Sequence, residues 1–108
     1  MVDDTATDAA VTTALLALFA ADRECVFTLG RAAPSALRVY GHLQQRVIVW
    51  APRTAEALGL ALPTVGSALA RLQQLGIARE ITGRRWGRQY AYAEQLRLLT
   101  ISEEAPSV

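Results

Sequence analysis

Residues 83–88 read G-R-R-W-G-R, so Arg84, Arg85 and Arg88 surround one indole, Trp86, in a segment whose two glycines favour a turn. A guanidinium is charged at every physiological pH and forks its N–H donors toward phosphate oxygens, and an indole face can stack or wedge. The chemistry on offer is recognition of a polyanion. The bland alternative is a solvated turn with Trp86 folded over its own hairpin. Upstream, Thr64, Ser67, Arg71 and Gln74 lie on what would be the outward side of a helix and can hydrogen-bond a base or a phosphate. Thr64 and Ser67 are short, and Pro63, Gly66 and Ala70 share that side, so a helix of this kind reads sequence poorly or meets another protein instead. Arg53 stands near the start of the preceding helix, where it can clamp a backbone phosphate or pair with Glu56 three residues on.

Bond-making chemistry has no comparable foundation. No nucleophile–base pair, carboxylate pair or metal cluster is visible, and an enzyme within this chain is excluded on that ground. The single histidine, His42, lacks partners at metal-ligand spacing and is expected as a partly exposed helix residue. The single cysteine, Cys25, cannot form an internal disulfide and is expected to fill core on a helix. Trp50 is expected at a domain edge. No catalytic residue, metal ligand or cofactor is assigned.

The elements that would position the polar residues have local signals. Two short apolar helices end at Gly59 and Gly76, each followed at once by an aliphatic residue, Leu60 and Ile77. Glycine takes the left-handed position after a helix without a Cβ penalty, and the next residue packs back on the last turn. Ala55, Gly59 and Val65 keep the A-x3-G-x5-V spacing of a tight helix-turn-helix. Ala55 lets the helices touch, Gly59 makes the turn, and Val65 plugs the angle. The second helix, Leu62 to Leu75, then has Val65, Ala68, Leu69 and Leu72 facing inward. IAREIT predicts a strand after Gly76, GRRWG a turn and RQYAYA the return strand, with Tyr90 and Tyr92 on one face.

Before this unit, Thr5 to Leu29 contains no Gly or Pro and repeats apolar residues at helical spacing, which predicts one long amphipathic helix stopped by Gly30. Pro34 suits the first turn of a second helix carrying Leu37, Tyr40 and Leu43 on one face. Residues 47–50, V-I-V-W, predict a short edge strand, and Glu94 to Leu99 a closing helix. The predicted architecture is mainly α with a small β-hairpin: a winged helix-turn-helix over residues 34–99, preceded by a long helix and break over 1–33 and followed by a frayed tail over 100–108.

Composition fits one small domain. At 108 residues and 52% hydrophobic the chain can form a single modest core, and its apolar runs are too short and interrupted to cross a bilayer. A soluble, cytoplasmic protein with no membrane partner is expected. Net charge is only +1, but residues 31–97 carry +7 while residues 1–30 carry −4. The predicted winged helix is basic in its own right, a weak pointer to a polyanion. Every basic residue is arginine, as codon bias in a GC-rich genome would also produce.

The whole order resembles the carboxy-terminal winged-helix region of Fic-family proteins, whose catalytic core transfers AMP to target hydroxyls. The resemblance runs from Thr5 to Leu99 and rests on LFAADRE (18–24), LGRAAPSALRVYGHLQQR (29–46) and REITGRRWGRQYAYAEQLRLL (79–99). It implies a helix just past the catalytic domain, a lead into the winged helix, and the wing with its closing segment. The family's catalytic loop, His-Pro-Phe followed by an acidic residue and Gly-Asn-Gly-Arg, is absent, since His42 precedes Leu43, Gln44 and Gln45. The chain is thus expected to be a non-catalytic piece of a Fic-like adenylyltransferase, cut at a domain boundary.

Three functions follow as expectations. One is a module that binds double-stranded DNA or regulates the parent enzyme. The second is an interaction module that packs on the catalytic core, on a partner, or on its own copy through the first helix. The third is a free-standing winged-helix regulator, for which the reading frame would start near Met1 rather than a few hundred residues upstream.

Overall fold

In a computed structural model of the chain, which describes residues 3–83, 85 and 87–104 and side-chain burial for 9–83, 85 and 87–101, both glycine stops form as expected. Gly59 has φ +66°, and Leu60 N donates to Ala55 O at 3.0 Å. Gly76 has φ +81°, and Ile77 N donates to Leu72 O at 2.9 Å. These bonds satisfy carbonyls that the helix ends would leave open, and Leu60 and Ile77 pack onto the core.

The chain runs α1 (Asp3–Phe27), a single 3-10 turn (Gly30–Ala32), α2 (Ala33–Arg46), β1 (Ile48–Trp50), α3 (Ala51–Leu58), α4 (Leu62–Gln74), β2 (Ala78–Glu80), β3 (Gln89–Tyr92) and α5 (Ala93–Glu104). The three strands form one antiparallel sheet in the order β1-β3-β2, with Val49 opposite Tyr90 and Arg79 opposite Ala91. β1 is therefore an edge strand, and β2 and β3 are the hairpin. α3 and α4 are the helix-turn-helix, so the fold is a winged helix-turn-helix preceded by a long helix.

Its core gathers Val39, Tyr40 and Leu43 from α2, Ala55 from α3, and Val65, Ala68, Leu69 and Leu72 from α4. The close contact at Ala55 and the plug at Val65 are both buried. Arg38 Nη2 donates to Leu58 O at 2.5 Å, holding the last turn of α3 against α2. Among the described residues no helix is long and apolar enough to cross a membrane.

Four details depart from the sequence reading. β1 begins at Ile48, because Val47 ends α2 with φ +68° and its N donates back to Leu43 O at 2.7 Å. α1 ends at Phe27, short of Gly30, and is not cleanly amphipathic: Leu16 is 63% and Phe27 56% exposed. Cys25 is exposed rather than core filling, because the adjacent Val26 takes the inward position and successive helical residues are turned by about 100°. α5 runs to Glu104, past the expected end at Leu99, since no breaker precedes Pro106; residues 105–108 lie outside the described residues.

α1 shares this core instead of standing apart. It packs on α2 and α5, and its Asp22 Oδ2 accepts from Tyr92 Oη at 2.6 Å. Tyr92 Oη lies 2.9 Å from Tyr40 Oη, and Tyr40 Oη donates to Phe19 O at 3.3 Å. The two rings meet edge-on with centroids 5.6 Å apart. Burial raises both phenols above their usual pKa, and Tyr92 is raised further by donating to Asp22.

Candidate nucleic-acid interface

α4 is the second helix of the motif, and its sequence divides it cleanly. Val65, Ala68, Leu69 and Leu72 are buried, whereas Ser67, Arg71 and Gln74 are exposed and Thr64 is half-buried. Thr64, Ser67 and Arg71 come together on one side, where with Ser35 they line a shallow cleft of about 230 Å³ against the start of α2. Leu62 is 49% exposed at the helix start, and Ala61 caps the helix without a side-chain hydrogen bond, so apolar surface stands where a polar contact would help. The exposed face can hydrogen-bond phosphates and a few base edges, but its reach is short.

The hairpin that follows is closed by a carboxylate that the sequence reading overlooked. Glu80 Oε2 accepts from Thr82 N at 2.8 Å, from Gly83 N at 2.7 Å and from Thr82 Oγ1. Those bonds, the Thr82 hydroxyl foremost, hold the Glu80 carboxyl below its usual range, with a smaller contribution from the charge of Arg88. Ile81 N donates to Gln89 O at 2.9 Å, which closes the ladder beneath the turn. Gly83 and Gly87 take φ +65° and +67°, the left-handed conformations expected of them. The available signal was an acidic residue two places before Thr-Gly in a turn. Arg85 and Arg88 are exposed on this segment, while Arg84 and Trp86 lie outside the described residues.

Arg53 falls elsewhere. It stands exposed in the first turn of α3 and lines a larger cleft with Trp50, Arg46, His42 and Gln89. No hydrogen bond or ion pair joins it to Glu56 among the described residues, whereas Arg97 does pair with Glu94 on α5. His42 is half-buried, and burial with the nearby charge of Arg46 pushes its imidazole below the usual range. Trp50 is 39% exposed on the edge strand, as expected, with its Nε1 facing Gly87 across the wing.

Of the nine candidate residues, the seven described ones divide into a cluster on α4 (Thr64, Ser67, Arg71, with Gln74 further along), Arg85 and Arg88 on the wing, and Arg53 beside Trp50; Arg84 and Trp86 lie outside the described residues. No protein-family model, curated protein or solved structure matches this chain.

Proposed function

We propose that this chain is a non-catalytic winged-helix module that binds double-stranded DNA weakly through its backbone and regulates or targets a Fic-like adenylyltransferase to which it belongs. The observation that carries the reading is the uncovered polar face of α4, with Ser67, Arg71 and Gln74 exposed on the helix that a helix-turn-helix offers to a major groove. Exposed Arg85 and Arg88 on the hairpin, and the local excess of arginine, support it. Glu80 sits in the same hairpin and tempers that charge.

A second reading is favoured by different residues. Leu16 and Phe27 expose apolar surface on α1, and Leu62 does so on α4. Such surface suits contact with a catalytic core or a second copy of the chain.

Fluorescence anisotropy of a labelled duplex at low salt tests the first reading against the second. Arg71→Ala is expected to weaken every duplex by a similar factor. Absence of binding by the wild type would overturn the DNA reading and leave the interaction module.

A further inference from the structure

Side chains alternate along a strand, so Val49, Ala78 and Tyr92 turn to the core while Ile48, Trp50 and Ile81 turn to the outer face of the sheet. Cross-strand pairing brings these outer residues together: Ile48 stands opposite Ala91, and Trp50 opposite Gln89, whose carbonyl accepts from Ile81 N. At the β2 edge Ile81 forms one wall of a groove of about 540 Å³, and Leu96 and Ile101 of α5 form the other. Of eight large apolar side chains that stand exposed among the described residues, these five share one surface; Leu16 and Phe27 on α1 are two of the other three. Apolar surface gathered in this way on a small domain marks a contact surface.

Its charge selects what covers it. Arg46, beside Ile48 and Trp50, and Arg79, beside Ile81, are exposed and have no ion-pair partner among the described residues. Laying two such faces together would set one arginine-bordered surface against another, which like charge disfavours. α1 carries the opposite sign, with five acidic residues against one arginine, Arg23. Leu16 and Phe27 are 11 residues apart, which places them about 16 Å apart and within about 20° of one side of the helix. Exposed Ala20 and Arg23 lie between them on that side. The two outer strands are about 10 Å apart, so this stripe is long enough to reach from the groove at Ile81 to Ile48 and Trp50.

We propose that α1 of a second copy lies across this face, and that the contact is reciprocal, closing two copies into a symmetric dimer. The proposal rests on the contact with a second copy that Leu16 and Phe27 favour, and it names the surface they meet. The exposed polar face of α4 takes no part in it.

Sedimentation velocity at micromolar concentration reads the association. Wild type is expected to be a dimer that weakens as salt rises. Leu16→Glu removes apolar contact from the helix, and Ile81→Glu and Ile48→Glu set a carboxylate against an acidic one; each is expected to raise the dimer Kd about tenfold or more. Circular dichroism separates lost association from lost fold. In protein carrying Ala20→Cys and Cys25→Ser, a benzophenone on the single thiol is expected to crosslink to β1, β2 or α5 of the second copy, read by mixing isotopically light and heavy chains. A wild-type monomer overturns the proposal together with the second-copy reading. Dissociation by Leu16→Glu but not by folded Ile81→Glu and Ile48→Glu, or crosslinks confined to α1, overturns the proposal alone and leaves α1 paired with itself. Dissociation by the two sheet variants but not by Leu16→Glu overturns it in favour of pairing between sheet faces.

Discussion

Replacing Tyr92 by phenylalanine removes one oxygen from the contact that fastens α1 to the winged helix. In the native protein that oxygen donates to Asp22 Oδ2 at 2.6 Å and lies 2.9 Å from Tyr40 Oη. A hydrogen bond to a charged acceptor contributes about 1.5–3 kcal/mol. Asp22 is only half-buried, so water can replace part of what it loses. The expected cost of Tyr92→Phe is therefore about 1.5–2 kcal/mol, toward the low end of that range. Tyr40→Phe should cost less, about 1 kcal/mol, because the charged bond between Tyr92 and Asp22 survives it.

The same pair sets an alkaline limit. Both phenols are held above their ordinary pKa in the folded chain, so above about pH 10 the unfolded chain binds fewer protons than the folded one and stability falls as pH rises. A tyrosine whose pKa is raised on folding removes at most about 1.4 kcal/mol per pH unit there, Tyr92 and Tyr40 act in the same direction, and the chain has no lysine to titrate alongside them. Urea denaturation followed by circular dichroism at pH 7 and between pH 9.5 and 11.5 measures both effects. A Tyr92→Phe midpoint equal to wild type, a Tyr40→Phe cost exceeding that of Tyr92→Phe, or a flat alkaline profile would refute the reasoning.

Thr54→Val removes an unpaired buried hydroxyl without changing volume and should raise stability by about 1 kcal/mol; a loss on urea denaturation would show that the hydroxyl is satisfied in solution. Ala55→Leu should cost about 1–3 kcal/mol by overpacking the α3–α4 contact, and Val65→Asp more by burying an unpaired charge, with near-native urea midpoints counting against this packing. With Leu16 and Phe27 exposed on α1, the isolated chain should sediment as a dimer at micromolar concentration and dissociate on Leu16→Glu; a monomer for both proteins would end that expectation.

What could be read from sequence was what depends on near neighbours. Gly59 and Gly76 end helices because a left-handed residue is needed at one position, and the inward and outward faces of α4 follow from helical period alone. The Cys25 and Phe27 exposures were not legible in this way, because α1 has apolar residues on several sides and only its packing on α2 and α5 selects which are covered. Asp22 and Tyr92 are 70 residues apart, and no local pattern pairs them. The α4 candidates could be named from sequence, as could Arg53, but not that Arg53 shares a cleft with Trp50 and the buried Thr54; that depends on how β1 joins the sheet.

DNA binding is the central claim, and its salt dependence tests it most directly. Arg53, Arg71, Arg84, Arg85 and Arg88 are the five arginines assigned to phosphates, and five displaced counterions bound the slope of log K against log salt at about −4.5. Because backbone contacts dominate, wild type should bind unrelated duplexes with similar affinity and a slope no steeper than that. Arg84→Ala combined with Arg85→Ala should weaken all of them alike and flatten the slope by about 2. Coincident salt titrations for the two proteins would contradict the wing's part in binding, and no binding by either at low salt would contradict the DNA-binding account as a whole.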